Sequence, residues 1–160
     1  RRLVLFEPTL FALIDADLPS PNAADHIRET VAQAAAAVAA GDPGRAAELF
    51  IDYWMGEGAL RSKPEPQRAA IEAAIVQVQG WGHALLSEAT PLAAFGALQM
   101  PVLLMCGSDT TTAAQAVASL LEHTLPRVQT LTFEGLGHMA PITHPERVDA
   151  AIAAFLLSPS

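Results

Sequence analysis

The sequence predicts an α/β fold: about three parallel strands with flanking helices, and a long helical insertion after the first strand. Three observations carry this. Residues 3–6 (Leu-Val-Leu-Phe), 101–106 (Pro-Val-Leu-Leu-Met-Cys) and 128–133 are short strand-like runs, each followed by Gly, Pro or acidic residues. The first two are continuously apolar, as expected of strands buried on both faces of a parallel sheet. The stretches between and after the runs carry helical signals, and strands alternating with helices imply parallel pairing with right-handed crossovers.

Taken in order, Pro8 ends the first strand, since it cannot donate to a ladder. Residues 22–40 are alanine-rich, with Asn22 a plausible N-cap and Gly41 a stop. Asp42-Pro43 starts a second helix that runs to about Gly56, with Asp42 as N-cap and Pro43 at its first position. Residues 57–66 read as loop from their Gly and Pro content. A third helix is expected over 66–79, broken by Gly80-Trp81-Gly82, with short helical pieces to 98. The second strand, 101–106, is closed by Gly107-Ser108-Asp109. A helix over 112–125 follows, then the strand 128–133, a turn at Gly135-Leu136-Gly137-His138, and a terminal amphipathic helix over Pro145–Leu157. That helix sets Val148, Ile152, Phe155 and Leu156 on one side.

The 160 residues suit one domain with one core. Composition is 51% hydrophobic and 16% charged, with mean hydropathy +0.30, more apolar than a usual soluble domain. This predicts a surface buried against something else. A net charge of −8 argues against nucleic acid and against an anionic membrane surface, because both need a basic face. One cysteine, Cys106, excludes an internal disulfide and fits a cytoplasmic protein. No stretch is long and apolar enough to span a bilayer, and no signal peptide is visible. The chain opens on Arg1-Arg2 directly before a strand, which reads as a cut inside a larger fold or a processed end. Three strands with one at the very start would leave an edge of residues 3–6 facing water or a missing neighbour.

The last sixty residues resemble the end of an α/β-hydrolase. The resemblance rests on Pro101 through Gly107 with the Asp109 loop after it, the helix over 112–125, and the strand over 128–133. It continues in Gly135-Leu136-Gly137-His138 and in His144-Pro145-Glu146-Arg147-Val148 at the final helix. Arg1-Arg2-Leu3-Val4-Leu5-Phe6-Glu7-Pro8 resembles the strand after the family's nucleophile helix. The resemblance implies that residues 1–10 and 99–160 are the C-terminal part of the hydrolase core and 11–98 its helical cap. Tyr53-Trp54, Gly56-x-Gly58 and Pro64-Glu65-Pro66 are similar to the cap of one broad group of such hydrolases.

The resemblance implies that His138 is the base of a catalytic triad. A general base must reach the nucleophile with one nitrogen and be oriented through the other. The family's usual acid place, three residues after the glycine that closes the penultimate strand, is occupied by Thr110. Two carboxylates remain as acid: Asp109, one residue earlier, and Glu7, where some haloalkane dehalogenases carry theirs. Asp109 also suits a turn or N-cap role, and Glu7 suits capping of backbone amides at a strand end. Tyr53, Trp54, Met55, Trp81 and Met139 are candidates to line an apolar substrate pocket, or to pack between helices.

No Gly-x-Ser-x-Gly nucleophile elbow occurs in the 160 residues. The expectation is a chain catalytically incomplete alone. It would be either the C-terminal portion of an ester-cleaving hydrolase acting on a small apolar substrate, or a non-catalytic module that self-associates or pairs with another chain. No cofactor or metal is expected. Gly135-x-Gly137-x-x-Ala140 imitates a dinucleotide fingerprint, but Pro141 falls in the helix that would bind it. His138, His144, Glu134 and Glu146 lack a metal-binding spacing. Cys106 reads as a buried small hydrophobe, and His26, His83 and His123 give no local clue.

Overall fold

The structure, a computed structural model, describes residues 1–158. Its centre is a parallel three-stranded sheet in the order β1 (Leu3–Phe6), β2 (Val102–Gly107), β3 (Val128–Phe133). Leu3 lies opposite Val102 and Phe6 opposite Met105, while Val102 lies opposite Val128 and Gly107 opposite Phe133. All three strands therefore end at one edge of the sheet. Only β2 is buried through most of its length; β1 is half-exposed throughout, because it pairs on one side only among the described residues.

Side chains alternate across the pleat. Leu3, Leu5, Val102 and Leu104 face a core completed by α1 (Ala12–Asp17), α2 (Asp25–Ala39) and α7 (Thr112–Thr124), with Phe11, Ile27, Val117 and Leu121 fully buried in it. Val4, Phe6, Leu103, Met105 and Phe133 face the opposite core, closed by α8 (Ala140–Thr143) and α9 (Pro145–Leu157) through Ala140, Val148 and Phe155. Leu156, expected on the inner side of α9, is half-exposed instead.

Between β1 and β2 the chain is almost entirely helical. After α1 and α2 come α3 (Pro43–Met55), α4 (Glu65–Ala74), a 3-10 turn (Ile75–Gln77), α5 (Val78–Leu86) and α6 (Leu92–Phe95). Asp42 caps α3 as expected, its carboxylate accepting the Arg45 N–H at 2.9 Å. Asn22 does not cap α2. Its side chain accepts the Ala24 N–H at 2.8 Å in a turn, and the helix starts at Asp25.

The third helix is not broken at Gly80-Trp81-Gly82. The break falls at the 3-10 turn, and the glycines lie inside α5. Packing explains this. A Cβ on Gly82 would stand 2.2 Å from Val31 Cγ1 of α2, so glycine lets the two helices approach closely and outweighs its poor helix propensity. Alanines do the same between α2 and α3, where Ala34, Ala46 and Ala47 are fully buried. No helix among the described residues is long and apolar enough to cross a membrane.

Candidate functional site

The site forms where the three strands end. Glu7 follows β1 directly, and its backbone takes φ 41°, a left-handed conformation unfavourable for a side chain with a Cβ. That turn sends the Glu7 side chain across the end of β2, where it is fully buried. Its Oε1 accepts the Gly107 N–H at 2.8 Å and lies 3.6 Å from the Cys106 thiol. Its Oε2 accepts the Thr110 hydroxyl at 2.6 Å and meets His138 Nδ1 at 2.8 Å. Burial alone would raise the Glu7 carboxyl, but hydrogen bonds from His138, Thr110 and the Gly107 amide outweigh it and hold the group below its ordinary value. An ionised carboxylate can only accept, so His138 donates through Nδ1, and in the neutral form of such a ring Nε2 is the nitrogen that carries the lone pair.

His138 is held there by the turn after β3. The Ser108 N–H donates to the Phe133 carbonyl and the Asp109 N–H to the Leu136 carbonyl, both at 3.0 Å, which ties the turn to the end of β2. This approach requires glycine at 107: a Cβ there would stand 2.1 Å from the Leu136 carbonyl oxygen. Gly135 takes φ 71° to make the turn. The imidazole side chain is 23% exposed, and one face stacks on the Trp54 indole at 4.2 Å between centroids and 29° between planes. Trp54 comes from α3 and is itself braced by Phe11, Phe50 and Tyr53. Among the described residues, Nε2 has no hydrogen-bond partner.

Of the two candidate carboxylates, Glu7 is the one brought to His138. Asp109 is exposed, and its Oδ1 accepts the Ser108 hydroxyl at 2.8 Å, while the Ser108 oxygen accepts the Gly135 N–H. Nor does Asp109 cap α7: Thr111 does, accepting the Ala114 N–H at 3.2 Å. Thr110, which occupies the family's usual acid position, serves Glu7 as a hydroxyl donor; its spacing in the sequence gave that place but not that partner. Cys106 is half-buried beside Glu7, and burial, reinforced by the Glu7 charge, pushes its thiol up to about 12, far from a reactive thiolate.

Two larger cavities open beside the imidazole, and a smaller one of about 230 Å³ borders it among Phe6, Met139, Pro141 and Ile142. Of the larger two, one, of about 420 Å³, is lined by Tyr53, Asp109, Thr110, Thr111 and Thr143 together with Trp54, His138 and Met139. The other, of about 590 Å³, is apolar and is lined by Phe50, Ile51, Ile71, Trp81 and Leu85 with the same Trp54, His138 and Met139. Tyr53, Trp54, Trp81 and Met139 therefore all border one or both of the larger cavities, and Trp54 and Trp81 also pack on Phe50.

No family model matches the sequence, and no curated protein matches it. Solved structures do. A hydrolase from Pseudomonas aeruginosa PA01 superposes with a TM-score of 0.68 at 22% identity, covering 99% of this chain and 56% of that one. The carboxylesterase CesB from Bacillus subtilis gives 0.61 at 20% identity, covering 100% of this chain and 52% of that one. The enol-lactonase from Burkholderia xenovorans LB400 gives 0.64 at 16%, with 99% and 56% covered. The chain thus spans about half the length of the structures it matches. Likeness at such identities speaks to architecture, and the architecture is part of an α/β-hydrolase fold.

Proposed function

We propose that this chain provides the base and acid of a hydrolase centre that cleaves esters or related bonds, with His138 as base and Glu7 as the acid that orients it. The observation that carries this is the buried Glu7 carboxylate bonded at 2.8 Å to Nδ1 of a histidine that borders the two larger cavities and whose Nε2 has no hydrogen-bond partner among the described residues. Nε2 would take the proton of a nucleophile and return it to the leaving group. Glu7 would fix the tautomer and stabilise the imidazolium. Residues 11–98 would act as a cap, laying Trp54 and the apolar cavity over the substrate.

The nucleophile and the oxyanion hole are then contributed from outside these 160 residues, because no Gly-x-Ser-x-Gly elbow occurs among them. The free edge of β1 is where a further strand would add. In the parallel order β1-β2-β3 a strand there would end beside Glu7 and His138. The test is to co-express or fuse the chain with the preceding hydrolase half and assay p-nitrophenyl esters. Turnover that His138→Ala and Glu7→Gln both abolish is expected. Unchanged turnover in either variant refutes the assignment, as does turnover by the bare chain that depends on His138.

The free β1 edge also favours a second reading, a non-catalytic module that pairs with another copy through that edge. Light scattering at high concentration distinguishes them: a stable dimer with no activity in any reconstituted form supports this second reading.

A further inference from the structure

The two larger cavities beside His138 share only four lining residues, Trp54, Met55, His138 and Met139. Of these, Trp54 is the large rigid one, and it stands against the imidazole face. On one side of this wall are hydroxyls and a carboxylate; on the other the surroundings are aliphatic and aromatic apart from Lys63. A substrate bond held at His138 Nε2 therefore has chemically different space on its two sides. We propose that the site takes a two-part substrate. Its large apolar group, an alkyl or aryl chain, occupies the cavity of about 590 Å³, its smaller polar part lies among Thr110, Thr111 and Thr143, and Trp54 is the partition that sets the length of the apolar group. This builds on the reading of His138 as base and adds the substrate's shape.

The partition has a second effect. The Glu7 bond fixes His138 in the plane of the ring, while the Trp54 stack blocks rotation out of that plane. Trp54 is thus also a positioning residue, and an occupant of the apolar cavity bears on the base through it.

The test measures binding of straight-chain 1-alkanols, from butanol to dodecanol, to the chain by calorimetry, with no turnover involved. Its failure is therefore distinguishable from failure of the catalytic reading, which the Glu7→Gln turnover assay tests. Affinity should rise about fourfold per methylene, the usual gain for burying one, and then level off when the cavity is full. Trp54→Ala, which joins the two cavities, should move that limit to longer chains. Trp54→Phe should keep it, and Ala84→Trp, which fills the apolar cavity from α5, should move it to shorter ones. Alkanol binding should also shift the His138 imidazole resonances while leaving those of exposed His123 in place. The same chain-length limit in a folded Trp54→Ala variant overturns the partition. Should that variant fail to fold, an unchanged limit in Ala84→Trp, or His138 resonances that ignore the ligand, overturns the proposal equally.

Discussion

Replacing Glu7 by glutamine keeps the shape of the side chain and removes its charge, so it separates packing from electrostatics. Three donors converge on the carboxylate with good geometry: the Gly107 amide, the Thr110 hydroxyl and His138 Nδ1, at 2.8, 2.6 and 2.8 Å. A glutamine carbonyl placed on Gly107 puts its NH₂ against Thr110 and His138. The hydroxyl can rotate to accept. His138 can accept only by moving its proton from Nδ1 to Nε2. The stability cost is then modest. All three bonds lose their charge assistance, about 1 kcal/mol each, and the lighter desolvation of an amide offsets part of this. We expect a loss of about 1–2 kcal/mol in urea denaturation at pH 7.

The functional cost is far larger, because the ring now presents a proton where it should present a lone pair. Wrong-tautomer variants of triads lose about 10⁴ in turnover. Nitrogen NMR of the imidazole reads the tautomer directly on the chain alone. If Nδ1 still carries the proton in the glutamine variant, the reasoning fails. The pH dependence supplies a second check. Since the folded carboxyl titrates below its ordinary value of 4.5, the stability it contributes is present above that value. That contribution disappears as pH falls through the lower, folded value, so the gap between wild type and Glu7→Gln should close under acid.

Other substitutions follow from the same geometry. Gly107→Ala drives a methyl into the Leu136 carbonyl at 2.1 Å; the obstacle is backbone, so the turn bearing His138 must move, and we expect at least about 3 kcal/mol of destabilisation with loss of the Glu7–His138 coupling by NMR. Gly82→Ala should cost about 1–3 kcal/mol against Val31, and Val31→Ala should recover much of it in a double-mutant cycle read by denaturation. Asp109→Asn should change stability by less than about 0.5 kcal/mol and leave the His138 imidazole resonances in place; a shifted His138 signal would reinstate Asp109 as a partner of the base.

The strands and His138 were legible because their signals are local: a short apolar run, a closing glycine, a Gly-x-Gly turn. The break at Gly80 and Gly82 was misread because helix propensity is local too, whereas the reason for glycine there is Val31, on a helix about fifty residues earlier. The short helices α1 and α8 carry too few residues to show a period. The choice between Glu7 and Asp109 could not be made from spacing, since both stand one or two residues past a strand end. Which carboxylate reaches His138 follows from the left-handed turn at Glu7 and from the backbone amides each carboxylate meets, and neither is written in residue type.

Under the proposed roles, the position of Glu7 also bears on where a nucleophile would stand. In a parallel sheet neighbouring strands lie about 4.8 Å apart and end on the same edge. Glu7 ends β1 yet reaches over the end of β2 to Gly107, while the β3 turn returns over β2 to bring His138 to the same carboxylate. The Glu7 carboxylate thus leans inward from β1 and the His138 imidazole comes back from the opposite side. Trp54 covers one face of the imidazole, Glu7 holds Nδ1, and the side of the ring carrying Nε2 is left for the reacting group. A strand added to β1 would place the residue at its C-terminal end one strand spacing beyond β1, on the sheet edge that carries Glu7 and His138. A strand added beyond β3 would end on the far side of the turn that carries His138. The geometry therefore predicts that a fused hydrolase half restores turnover when its last strand can pair with residues 3–6. Proline placed at Val4, whose N–H points away from β2 while those of Leu3 and Glu7 on either side of it bond to β2, removes a donor from the outer edge of β1 and should block that restoration, provided circular dichroism shows the rest of the chain still folded.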